Sequence, residues 1–343
     1  MKTKIVYVLA SLDADIYMEQ AFVSAWSARH YNPDCHIEMV CDQDTFATMK
    51  SGIRGQYKSL FDTFHVQDFR PEQSMRERSR WMKTSLRKLI EGDYLFLDSD
   101  TVVCSNLSHI DDYNFSIGMA LDQNCEMKDF LYRTGVTNRT KRLFNVDISA
   151  ETKYFNSGVA YVKDNAQTHI FYKKWHQMWM SKRYENDGIK DQASLAATNL
   201  LLGHVITEMS GDMNCQVMAS IQYLHTAHIM HFFNTFFTAK GPSLHPFYGK
   251  NLFLEVKEQG ITKDIVHKIL QCKSLFISPS VPVPFEGAKI WELYSKRNIF
   301  NTNAWITLQY IHQSYPLVFK FIEYFITTLI RFRRRCKRYI SKL

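Results

Sequence analysis

Short apolar runs rich in β-branched residues recur along this 343-residue chain, separated by longer stretches with helical periodicity. Ile5 to Ala10, His36 to Cys41, Tyr94 to Leu97, Ser116 to Leu121, Val159 to Val162 and Ile229 to Phe233 read as strands. Tyr17 to His30, Arg78 to Ile90, Thr168 to Met180 and Lys190 to Leu202 read as helices, with Asp15 a candidate N-cap for the first. A strand that is apolar along its whole length has both faces buried. Such strands alternating with helices predict an α/β fold: a mostly parallel sheet flanked by helices.

Beyond about residue 245 the pattern changes to helices and loops, with a Pro-rich connection around Pro279 to Pro284. The expected division is therefore an α/β domain over residues 1–245 and a helical C-terminal region over 246–343. An apolar content of 45% supports a full core, and the scarcity of glycine and proline argues against a long disordered linker. Seven cysteines without a CxxC pair suggest a reducing compartment rather than a disulfide framework. The N-terminal apolar run is too short for a signal peptide, so a cytoplasmic location is expected.

The net charge of +8 suggests nucleic-acid binding until it is located. Arg331, Arg333, Arg334, Arg335, Lys337, Arg338 and Lys342 lie in the last thirteen residues without an acid, which leaves the body near +1. Just upstream, Pro316 to Ile330 is apolar and aromatic but is broken by Lys320 and Glu323, too interrupted for a transmembrane span. Residues 315–343 are expected to form an amphipathic basic segment that docks on an anionic membrane surface. A core helix followed by a solvated basic tail is the alternative.

Three Asp-x-Asp pairs occur, Asp13/Asp15, Asp42/Asp44 and Asp98/Asp100, so the spacing alone is uninformative. Only Asp98 and Asp100 directly follow an apolar strand, Tyr94 to Leu97, and open α/β sheets bind ligands at the carboxyl ends of their strands. Two carboxylates held side by side repel each other, and a divalent cation relieves the repulsion while offering a seat for a diphosphate.

The stretch from Arg80 to Leu86, continued by Gly92 to Val103, resembles glycosyltransferase family 8. Tyr154-Phe155-Asn156-Ser157-Gly158-Val159, Asp191-Gln192 and His228-Ile229-Met230-His231-Phe232 follow in the family's order, so the resemblance spans roughly residues 4 to 242. It implies a GT-A-type, Rossmann-like catalytic domain. The implied activity is transfer of a hexose from a UDP-sugar to a hydroxyl of a glycan or glycolipid, with retention of anomeric configuration, as in bacterial lipopolysaccharide galactosyl- and glucosyltransferases.

The resemblance further implies that Asp98, Asp100 and His231 hold Mn2+ or Mg2+. An imidazole beside carboxylates suits manganese better. His225 and His228 are nearby rivals to His231. Asn156, Asp191 and Gln192 fall where the family surrounds the donor sugar and reacting carbon, although Asn156 to Gly158 also reads as a turn and Asp191 as a helix N-cap. Asp13, Asp15 and Tyr17 match the base and ribose loop. Arg80 and Lys83, spaced i, i+3, are candidates for the phosphates together with Ser99. Lys240 stands where the family has a Lys-Pro-aromatic motif, but this chain reads Lys240-Gly241-Pro242. Two other functions use the same features: a nucleotidyltransferase or phosphohydrolase at the acidic pair, and a polyanion-binding protein acting through the arginine tail.

Overall fold

The computed structural model describes residues 1–217, 219–233, 245–275, 303–326 and 328. The chain divides into two compact units, one of Met1–Phe236 with Ser243–Ser280 and one of Phe237–Pro242 with Val281–Leu343. Lys240, the connection at Pro279 to Pro284 and the arginine cluster lie outside the described residues.

In the first unit the strands are β1 (Lys4–Leu9), β2 (Ile37–Asp42), β3 (Thr63–Gln67), β4 (Tyr94–Leu97), β5 (Thr101–Val103), β6 (Ile117–Leu121), β7 (Phe155–Val162), β8 (Ile206–Glu208) and β9 (Ile229–His231). Its helices are α1 (Tyr17–Tyr31), α2 (Gln43–Thr48), α3 (Gly52–Gln56), α4 (Met75–Thr84), α5 (Leu86–Leu89), α6 (Arg133–Phe144), α7 (Ala166–Lys182), α8 (Gln192–Leu201), α9 (Lys250–Gln259) and α10 (Lys263–Leu270). Among the described residues, seven strands form one sheet in the order β3-β2-β1-β4-β7-β6-β8, and β5 pairs with β9 in a second, two-stranded sheet.

β4 is apolar from end to end, and β1 is so after Lys4, because both faces are covered. One face of β1 and β4 packs Ile5, Tyr7, Leu95 and Leu97 with Met18, Phe22 and Ala25 of α1. The other packs Val6, Val8, Tyr94 and Phe96 with Met82 of α4, Leu86 of α5 and Phe171 and Trp175 of α7. The sheet is mostly parallel, but β7 runs antiparallel to both β4 and β6. From β1 the chain builds outward through β2 and β3, then returns to place β4 on the other side of β1. Carboxyl ends of strands at such a reversal flank a natural crevice.

Several expected elements differ in extent. The helix expected over Arg78 to Ile90 is two helices, because the Ser85 hydroxyl donates to the Trp81 carbonyl at 2.6 Å and competes with the backbone ladder. Ser74, whose side chain accepts from Glu77 N, starts α4 earlier than expected. Asn156 to Gly158 are part of β7 rather than a turn before it. The last expected strand ends at His231 and lies outside the main sheet. Strands β3 and β8 and helix α6 have no clear sequence signature; β3 is only half-buried and β8 is three residues long.

Helices α9 and α10 pack against α1 within the first unit. In the second unit α11 (Asn303–Ser314) is followed by helical residues 316–326. Among the described residues no helix is long and apolar enough to cross a membrane.

Candidate metal and ligand site

Asp98 follows β4 directly, and the chain turns through Ser99 and Asp100 into β5. The turn is braced by the Thr101 hydroxyl, which donates to the Asp98 carbonyl at 2.8 Å, and by Asp98 N–H, which donates to Gly158 O at 2.7 Å. His231 arrives on β9, whose antiparallel register sets it opposite Thr101, and Phe232 N–H donates to Asp100 O at 2.9 Å. One ligand atom from each of Asp98, Asp100 and His231 lies within 4.8 Å of the other two. The rival His228 is engaged elsewhere, with Nδ1 2.5 Å from the Ser105 hydroxyl and its ring against His109.

The donor set fits a divalent cation on its geometry. Asn156 Oδ1 accepts from Gly158 N–H at 2.9 Å and from Asn214 Nδ2 at 3.0 Å. A backbone N–H can meet only an acceptor, so the orientation of the Asn156 amide is fixed, and through it that of Asn214. Asn214 Oδ1 then faces His231 Nδ1 at 3.0 Å, which must carry the proton. This leaves Nε2, 3.2 Å from Asp100 Oδ1, as the nitrogen that could face a cation. Burial opposes the charged imidazole, but the adjacent Asp100 carboxylate outweighs it and raises the His231 pKa above its ordinary value. Gly158 is required for close approach: a Cβ there would stand 2.1 Å from His231 Cε1.

Basic side chains from α4 complete the cluster. Lys83 Nζ lies 3.0 Å from Asp98 Oδ1 and 3.9 Å from Asp191 Oδ2, while Arg80 Nε lies 3.1 Å from Asp191 Oδ1. Their i, i+3 spacing does put both on one face. Asp191 precedes α8 but makes no side-chain cap; its carboxylate also accepts from the Ser157 hydroxyl at 3.2 Å. Although burial pushes the Asp191 pKa up, Arg80 and then Lys83 outweigh it and hold the carboxyl below its ordinary range. Its neighbour Gln192 has a buried Oε1 without a hydrogen-bond partner among the described residues. An orphaned acceptor costs about 1–3 kcal/mol unless a ligand satisfies it.

The loop after β1 is held from within and from outside. The Asp15 carboxylate accepts from the Ser11 hydroxyl at 2.5 Å and from the N–H groups of Leu12 and Tyr17 at 2.8 and 3.0 Å. Asp15 thus organises the entry to α1 although the position preceding the helix is Ile16. Asp13 is exposed and 3.3 Å from Arg54 Nη1, and Lys257 of α9 donates to the carbonyls of Asp13 and Asp15. Exposed Tyr17 opens α1. The loop lies at the carboxyl end of β1, and Asp98 at that of β4, the two strands bordering the reversal.

Asp122 and Asn214 complete the constellation and were not singled out in the sequence. Asp122 accepts from Asn156 Nδ2 at 2.9 Å, so a line of polar groups runs from half-buried Asp122 through buried Asn156 and Asn214 to His231. Asp122 follows strand β6 directly, the same strand-end signal that distinguished Asp98. Asn214 sits in a short 3₁₀ turn, Gly211–Asn214, without any pattern that marks it.

No protein-family model matches the chain, and none of the curated proteins matches it. Among solved structures, the galactosyltransferase LgtC in complex with donor and acceptor sugar analogues is similar at 18% identity over 78% of this chain and 100% of its own, with a TM-score of 0.47. Mouse xyloside xylosyltransferase 1, apo form, gives 10% identity over 68% and 98%, with a TM-score of 0.46. The glycosyltransferase GlyE of Streptococcus pneumoniae TIGR4 gives 16% over 82% and 67%, with a TM-score of 0.43.

Proposed function

We propose that this protein transfers a hexose from a UDP-sugar to a hydroxyl of a glycan or glycolipid, using a divalent cation held by Asp98, Asp100 and His231 and retaining the anomeric configuration. The observation that carries the reading is the convergence of those three ligand atoms within 4.8 Å at the carboxyl end of β4. The sequence resemblance to glycosyltransferase family 8 supports it independently. Mixed oxygen and nitrogen donors favour manganese over magnesium. A cation there supplies Lewis-acid neutralisation of the diphosphate leaving group.

The chain's own residues do the rest. Lys83 and Arg80 add positive charge beside the departing diphosphate. Asp13, Asp15, Tyr17 and Ser99 border the place for the nucleoside, and Lys240 is the candidate diphosphate contact further along the chain. Gln192 Oε1 accepts a hydroxyl of the donor sugar, which satisfies its buried acceptor. Asn156 acts through its neighbours, holding Asn214 and hence His231. Asp191 is ionised, buried and paired with two cations, an arrangement better suited to stabilising an oxocarbenium-like sugar electrostatically than to forming a bond with it. Same-face attack by the acceptor hydroxyl is therefore the favoured route to retention.

The C-terminal segment would bring the enzyme to its acceptor at a membrane face. Leu317, Phe321, Tyr324 and Phe325 are exposed on the helical residues 316–326 and precede the arginine cluster in the sequence. Removing everything after Tyr315 should abolish flotation with anionic liposomes, and unchanged flotation would refute this part.

A transfer assay tests the function. UDP-glucose, UDP-galactose and their N-acetylated relatives are each incubated with the protein and Mn2+, released nucleotide is identified, and the product anomer is read by NMR. UDP with a retained linkage is expected. Release of UMP and a sugar phosphate would establish a phosphohydrolase instead, and an inverted linkage would rule out retention.

A further inference from the structure

We propose that Cys104 and Cys272 form a thiol–disulfide exchange site, which a low-molecular-weight disulfide converts to an intramolecular disulfide. Cys104 follows β5, and Cys272 follows α10 after 168 further residues, yet their sulfur atoms are 3.3 Å apart. Closing this pair to a bond requires an approach of roughly 1.3 Å, since a disulfide spans about 2.05 Å. The backbones that carry the two sulfurs are anchored, and the Cys104 thiol also lies 3.4 Å from the Val102 carbonyl. Cys104 N–H donates to His228 O at 2.8 Å and Cys272 N–H to Ile269 O at 3.2 Å, while the Cys272 carbonyl accepts from His245 Nε2 at 2.7 Å. Lys273, next in the chain, donates to the carbonyls of His225 and Ala227 on the segment leading into β9. The two thiols therefore meet as a feature of the folded core and not as a chance approach of mobile side chains.

Their exposures differ in the way the chemistry needs. Cys104 is half-buried, whereas Cys272 is 1% exposed and Cys215, the other cysteine nearby, is 0% exposed. The contact with Cys104 and burial both push the Cys272 thiol pKa up, which leaves it the second sulfur to react. Cys104, the more exposed of the two, is the attacking sulfur. It displaces one thiolate from a small disulfide such as oxidised glutathione and forms a mixed disulfide. Cys272 then attacks the Cys104 sulfur and expels the second thiolate, which leaves with the Cys272 proton as a free thiol, just as the first leaves with the Cys104 proton. Two protein thiols are oxidised and one small disulfide is reduced to two thiols. The new bond ties α10 to β5, the strand that continues from Asp100 and pairs with the strand carrying His231.

The full-length protein incubated with oxidised glutathione, then digested without reductant and analysed by mass spectrometry, tests the proposal. A single cross-linked peptide joining Cys104 and Cys272 is expected, with loss of two of the seven thiols and a rise in melting temperature of roughly 5 °C that dithiothreitol reverses. In Cys272→Ser, Cys104 should instead accumulate as a stable mixed disulfide with glutathione. Recovery of wild-type Cys104 and Cys272 as free thiols, or of Cys104 as a glutathione adduct alone, would overturn the proposal. The readout needs neither substrate nor metal, so it stands apart from the transfer reading.

Discussion

Oδ1 of Asn214 lies 3.0 Å from Nδ1 of His231, and this contact decides which face of the imidazole is left for a cation. Removing the acceptor frees the ring to rotate and to change tautomer. Asn214→Ala should therefore weaken Mn2+ binding about 10- to 100-fold, measured as free Mn2+ by electron paramagnetic resonance in the absence of nucleotide. Unchanged affinity would show that the tautomer does not depend on this residue.

Gly158 tests the same geometry sterically. In Gly158→Ala the new methyl would occupy the place of His231 Cε1, 2.1 Å away, so the imidazole must move. We expect loss of detectable Mn2+ binding together with about 1–3 kcal/mol of stability from overpacking, read by calorimetry and urea denaturation. Tight Mn2+ binding by a stable variant would contradict the ligand assignment.

Gln192 separates function from stability. Its Oε1 is buried without a partner among the described residues, so replacing it with leucine removes an unsatisfied acceptor. Gln192→Leu should melt at or above the wild-type temperature while the transfer rate falls by a factor of ~10 or more. A less stable variant with full transfer activity would assign Gln192 to the scaffold.

The acidic pair carries the largest effect. Asp98→Asn or Asp100→Asn is expected to lower manganese-dependent transfer by a factor of ~10³, equivalent to about 4 kcal/mol of transition-state stabilisation. Turnover and metal requirement measured for each variant across a Mn2+ titration check this, and full activity in both would remove the metal site.

Glu38, which is remote from this chemistry, should account for a distinct share of the acid sensitivity. Its carboxylate lies 2.9 Å from Lys4 Nζ and 2.7 Å from His65 Nε2. Burial alone would raise its pKa, but hydrogen bonds from His65 and Lys4 pull it from an ordinary 4.5 to about 2. The unfolded chain then binds the proton first on acidification, so the stabilisation is complete above pH 4.5 and lost as pH falls toward 2. In Glu38→Gln this pH-dependent share, on the order of 1–2 kcal/mol, should be absent. Urea midpoints of wild type and variant that keep a constant difference from pH 6 to pH 3 would argue otherwise.

The sequence by itself determined the layered sheet and one corner of the site. β1, β4 and β6 are legible because a strand buried on both faces must be apolar throughout, and Asp98 is legible because an acid directly after such a strand stands at a known ligand-binding edge. The same rule would have found Asp122 after β6. Tertiary structure decided what linear patterns cannot encode: that β7 reverses direction, that β9 leaves the main sheet to pair with β5 and deliver His231, and that Asn214 lies beside it. Periodicity records how a residue relates to its own element's faces. Partners contributed by other elements leave no trace in that record: the family resemblance could name Lys83, Asp98, Asp191 and His231, but only the folded chain brings them to the distances seen here.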